Sequence, residues 1–122
     1  MSSLDFAVPG SPSEMLRTPN IYKVMAAIVI NPEATIWTPA AGKKFRLMGF
    51  FFAEGVATGA ITVRDNTAGT IILRLPAITI NVGTLFLLPG NGILSAAANN
   101  VLTATGAGVG ETIDGTVFGT EE

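Results

Sequence analysis

The chain has 122 residues, of which 48% are hydrophobic and 13% charged, with a formal net charge of −2 and neither cysteine nor histidine. Such a length suits one domain able to bury about two-thirds of its unfolded surface around one core. Seven basic residues scattered along the chain leave no basic stripe for nucleic acid, and without cysteine there is no disulfide framework or thiolate chemistry.

Charged residues usually make up about a quarter of a soluble domain. A small domain has much surface for its volume, so a deficit points to apolar surface hidden between chains. A homo-oligomer or larger assembly is expected. The opening MSSLDFAVPGSPSEM has neither the basic nor the apolar region of a secretory signal. The longest unbroken apolar run, residues 24–30, is far below the roughly 18 residues of a membrane helix. A soluble chain made in the cytoplasm, with no membrane partner, is the expectation.

Residues 1–22 contain Pro9, Pro12 and Pro19 among four serines, with apolar Leu4, Phe6, Val8, Met15, Leu16, Ile21 and Tyr22 spread between them. Proline removes donors and holds the preceding residue extended. The segment reads as an extended arm whose apolar residues bind a neighbouring chain, with one helical turn near residues 13–16. From residue 23 the pattern becomes strand and turn. Residues 23–30 form a β-branched run closed by Asn31-Pro32, and residues 35–38 a short strand closed by Pro39 and Gly42. Residues 44–54 are long and apolar. Residues 60–65 and 70–75 flank the turn cluster DNTAG as a hairpin. Residues 78–82 and 84–88 follow, split by Gly83, and Pro89-Gly90-Asn91-Gly92 marks a turn. Residues 101–105 alternate, and residues 111–120 close the domain. No window supports a ten-residue helix; SAAANN at residues 95–100 is too short to be one alone. The pattern predicts an all-β fold, an antiparallel β-sandwich or jelly roll of about eight strands over residues 23–122, with the extended N-terminal arm before it.

The absent residue types bear on chemistry. Without histidine or cysteine there is no Ser-His or Cys-His nucleophile and no zinc site of the usual kind. Ser95 is the only serine beyond residue 13. Carboxylate catalysis needs two acids about 5–10 Å apart. Glu33, Glu54, Asp65, Glu111, Asp114, Glu121 and Glu122 fall mostly at predicted turns or ends, where a solvated acid is the ordinary outcome. Hard cations take oxygen ligands, but the acids at Asp65-Asn66 and residues 111–114 do not follow a recognisable loop spacing. No enzyme activity, metal or cofactor is expected.

Two aromatic positions say more. Trp37, the only tryptophan, sits in alternating Thr-Ile-Trp-Thr, which suggests a core residue rather than a sugar-stacking platform. In Phe50-Phe51-Phe52, strand alternation points Phe51 away from its neighbours, so both strand faces need covering. Either another subunit or the same domain would supply the second cover. Lys43, Lys44, Arg46, Arg64 and Arg74 sit at strand starts and around the hairpin, able to pair with acids on a neighbour or to stay solvated. Phe51, Arg46, Arg64 and Arg74 are the candidate subunit-interface residues.

The stretch Ile36-Trp37-Thr38-Pro39-Ala40-Ala41-Gly42-Lys43-Lys44-Phe45-Arg46-Leu47, the later Thr62-Val63-Arg64-Asp65, residues 93–100 (ILSAAANN) and the closing Gly115-Thr116-Val117-Phe118-Gly119 resemble small jelly-roll proteins of tailed bacteriophages. The resemblance covers roughly residues 34–120 and is one of pattern, with no ligand residue to carry over. It implies a capsid decoration (cement) protein, commonly trimeric, bound to the major capsid protein on the outside of the shell. The N-terminal arm falls outside it. Other readings are a tail, baseplate or head-fibre module, a carbohydrate-binding jelly roll, or a small carboxylate enzyme.

Overall fold

A computed structural model describes residues 18–77 and 79–122. Nine strands, and no helix, occur among them: β1 (Ile21–Val29), β2 (Ala34–Trp37), β3 (Phe45–Glu54), β4 (Ile61–Asp65), β5 (Thr70–Leu75), β6 (Thr84–Leu87), β7 (Ile93–Leu94), β8 (Leu102–Gly106) and β9 (Thr112–Glu121). One sheet runs β1-β9-β3-β6, with β7 continuing the β6 edge of β3. The other runs β2-β8-β4-β5. Every pairing is antiparallel. With the two-residue β7 set aside, first and last strands lie side by side in one sheet and second and eighth in the other. That nested order is the jelly roll.

The core fills the space between the sheets. Leu47, Phe50 and Phe52 of β3, Val117 of β9 and Met25 of β1 face Ile61 and Val63 of β4, Leu102 and Ala104 of β8, and Trp37 of β2, all buried. Phe50 and Phe52 meet edge to face, their ring centroids 5.0 Å apart, and Trp37 tilts against Phe45 at 5.6 Å. Each fully buried large side chain contributes about 1.5–3 kcal/mol relative to exposure.

The apolar run at residues 24–30 shows no clean alternation because β1 carries a bulge. Met25 pairs with Gly115 and Ile28 with Ile113, leaving one extra residue on β1. Ala27 takes a φ of 48° there, and its N–H donates to Asp114 Oδ1 at 2.7 Å. The extra residue resets the parity, so Met25, Ile28 and Ile30 all turn toward the core.

Two sequence expectations need correction. The arm was expected to end at residue 22, yet Ile21 and Tyr22 already pair with Gly119 and Phe118 as the first residues of β1. The other arm residues, Leu4, Phe6, Val8, Met15 and Leu16, lie outside the described residues. Of the strand expected over residues 78–82, the described residues 79–82 form none: Asn81 adopts a φ of 63° and the Val82 N–H closes a turn onto the Thr79 carbonyl at 3.2 Å, while Ile78 is outside the described residues. In its place β7 pairs with β3 after the Pro89–Gly92 turn. Gly92, at φ 72°, brings its backbone so close to the Leu47 carbonyl that any side chain would collide.

Candidate interaction surface

Strand register assembles an apolar surface on the outer face of the β1-β9-β3-β6 sheet. Tyr22 lies opposite Phe118, Phe118 opposite Gly49, and Gly49 opposite Leu87. One step along, Val24 faces Thr116, Thr116 faces Phe51, and Phe51 faces Leu85. Neighbouring strands stand about 4.8 Å apart, so these two rows form one continuous band across four strands. Val24 is 74% exposed, Leu87 66% and Phe51 47%. Tyr22 and Leu85 are exposed as well. Neither row contains a charged residue.

The surface is also smooth. Phe118 lays its ring over Gly49, where even a methyl group would collide with it. Its other side meets Tyr22, ring centroids 6.1 Å apart. Charge appears only on the flanking rows. On one side Arg46 faces Thr120 and Leu94, on the other Ala53 faces Asp114. Arg46 is held within its own chain: it forms a salt bridge to Glu122, with Nη2 donating to Glu122 Oε1 at 3.1 Å and Nη1 to the Asn91 carbonyl at 3.1 Å. The hydrogen bond to Glu122 raises the guanidinium above its ordinary value.

The second sheet turns out a different face. Its rows read Thr35, Thr103, Arg64, Ile71 and Thr105, Thr62, Arg74. Arg74 Nη1 donates to Thr62 Oγ1 at 2.9 Å, and Thr103 Oγ1 donates to Glu33. Arg74 and Thr62 are paired there, as are Thr103 and Glu33, whereas Arg64 Nε is buried without a hydrogen-bond partner. The sandwich therefore has an uncharged apolar band on one outer side and a mixed row of threonine and arginine on the other, where Thr62 and Thr103 are themselves buried and Ile71 is exposed.

The candidate interface residues divide between these sides. Phe51 stands in the middle of the apolar band and Arg46 on its flank, whereas Arg64 and Arg74 belong to the opposite sheet. No single planar face holds all four. Phe51 followed from strand alternation, since Phe50 and Phe52 are buried and it is not. No local pattern marks its partners in the band, Val24, Leu85, Leu87 and Phe118, because only pairing register brings them together. Tyr22, expected in the arm, instead begins the first row.

The acidic residues are less solvated than expected. Glu54, Asp65 and Glu111 are buried. Asp65 accepts the Ala96 N–H at 2.7 Å and an Asn100 Nδ2 hydrogen at 3.0 Å, tying residues 95–100 to β4. Asp65 thus anchors a loop, as does Glu33, whose carboxylate accepts the Ala68 N–H at 3.0 Å. Among the described residues the surface has no concave pocket, and no three acidic side chains gather as metal ligands. Trp37 is buried, with Nε1 donating to Glu121 Oε2 at 2.9 Å, so it offers no stacking platform. No protein-family model matches the chain, and no curated protein or solved structure matches it.

Proposed function

We propose that the chain is a structural protein that works by packing against other protein chains. Its apolar sheet face joins copies of itself into a homo-oligomer, a trimer in the fuller reading, and its opposite face looks outward. The observation that carries this is the uncharged, continuous band from Tyr22 and Val24 to Leu85 and Leu87, exposed across four strands of one sheet. Bands of this kind on a soluble domain mark contact surfaces.

The resemblance extends the proposal to a place: the outer surface of a tailed-bacteriophage head, decorating and stabilising the shell of the major capsid protein. Many copies on a symmetric shell gain avidity from individually weak contacts. In this reading the N-terminal arm ties neighbouring shell subunits, paying ordering entropy for contact area. The test is co-sedimentation of the purified chain with capsids of a host phage, before and after expansion. Saturable binding at fixed copies per expanded capsid supports the proposal. Removal of residues 1–17, which leaves all nine described strands intact, should abolish attachment and spare the oligomer. Undiminished attachment of that truncated chain contradicts the role given to the arm, and no binding by the whole chain moves the proposal to a tail or fibre component.

A further inference from the structure

At one end of the sandwich, two loops meet around a pair of buried acids. Glu54 ends β3 and Glu111 stands just before β9; neither is exposed to solvent. Glu54 Oε1 accepts the Gly59 N–H at 3.2 Å, and Glu111 Oε1 accepts the Gly108 N–H at 2.9 Å. Each acid thus holds a loop, Glu54 the 55–60 loop and Glu111 the 106–111 loop. The loops are stitched to each other by Ala107 N–H to the Ala60 carbonyl at 3.1 Å.

The fit around Glu111 is tight. A Cβ on Gly59 would stand 2.8 Å from Glu111 Oε1 and one on Gly108 3.2 Å from it, and one on Gly106 would run into the carboxyl itself. Gly59, Gly108 and, at the end of β8, Gly106 therefore enclose one carboxyl group, and Glu111 Oε2, Glu54 apart, has no hydrogen-bond partner. Two carboxylates this confined repel each other and lack water to spread their charge, so a proton between them is the favourable state. Burial, above all, and the hydrogen bond to Glu54 push Glu111 up to about 7, against the opposing pull of the Gly108 amide.

The surroundings add one further acid and otherwise neutral groups. Asp114, from β9, is engaged by the Ala27 N–H of β1 at 2.7 Å. Thr112 Oγ1 accepts from the Val56 N–H at 3.0 Å, Asn31 Nδ2 donates to the Gly108 carbonyl at 2.9 Å, and Ile30 packs beside Gly106.

We propose that Glu111 keeps a proton directed at Glu54 and that the two buried acids form a pH-operated clamp between the 55–60 and 106–111 loops, closed while Glu111 holds the proton and loosened when it leaves. The loops carry Val56 and Val109 at their surface, the latter 92% exposed. Loss of the proton frees these apolar tips from fixed positions. The clamp lies apart from the apolar band and does not rest on it.

The sign follows from proton counting. Folded Glu111 keeps a proton that an unfolded carboxyl, at the ordinary 4.5, gives up. The stabilisation is complete below that ordinary value, declines as pH rises toward about 7, and is absent above it. Between the two limits the folded-to-unfolded ratio falls by a factor on the order of a hundred, tenfold for each unit of displacement.

The experiment uses the full chain. Carbon-13 spectra of the glutamate carboxyls are followed from about pH 4 to pH 9, with denaturant unfolding and amide exchange of Gly59 and Gly108 measured over the same range. Glu111 should titrate near neutrality, and the two amides should lose protection, corrected for intrinsic rates, in the same interval. Glu111→Gln should flatten the stability profile there; Glu54→Gln, should the first variant not fold, should lower the Glu111 midpoint. Titration of Glu111 in the ordinary carboxyl range would overturn the retained proton. Constant protection of both amides while Glu111 titrates would overturn the clamp.

Discussion

Phe118 of β9 places its ring against Gly49, the β3 residue it faces across the sheet. Glycine at that position lets one aromatic ring cover two strands, and the ring then extends to Tyr22 on β1. The smooth outer band depends on this contact.

Gly49→Ala should therefore cost stability. The added methyl would have to displace the Phe118 ring or shift β3, an overpacking penalty of about 1–3 kcal/mol. Urea unfolding checks it. Pairing the substitution with Phe118→Ala should recover part of the loss, because the obstructing ring is gone.

Adjacent phenylalanines should respond oppositely. Phe52 is fully buried and Phe51 is 47% exposed. Truncating Phe52 to alanine leaves a cavity between the sheets and should cost about 3–5 kcal/mol. Truncating Phe51 in the separated subunit should cost under about 1 kcal/mol, as expected of surface substitutions. Its effect should appear instead in association, so unfolding and oligomeric state measured side by side separate the two positions.

Trp37 is a gauge of the C-terminal end of β9. Its indole N–H donates to Glu121 Oε2 while the ring packs on Phe45. Glu121→Leu removes the acceptor and strands a buried donor, at a cost of about 1–3 kcal/mol. Emission from Trp37 should be short in wavelength and indifferent to added sugars; a response to glycans would favour the carbohydrate-binding reading.

Much of the fold could be read in the chain because its turns are marked in residues. The hairpin of β4 and β5 follows from DNTAG between two apolar runs, and β5 occupies residues 70–75 as expected. Phe50-Phe51-Phe52 announced which strand faces both ways. Three features were hidden. The bulge at Ala27 depends on an acceptor, Asp114, that lies 87 residues away. Residues 78–82 have strand-like composition, but Asn81 turns the chain. The apolar band is a matter of register among β1, β9, β3 and β6, and no local pattern links Tyr22 to Leu87. The buried acids were missed for the same reason: Glu54 and Glu111 look like loop acids until the jelly-roll order brings the ends of β3 and β9 together.

The most direct test of the apolar band as a contact between copies is sedimentation velocity of the full chain beside a Phe51→Asp, Leu85→Asp double variant, over a range of concentrations and at low and high salt. The wild-type chain should sediment as a discrete oligomer that salt does not dissociate, since the band is uncharged. The variant should sediment as a folded monomer. An oligomer of unchanged size in the variant, or a wild-type chain that stays monomeric at high concentration, would contradict the claim.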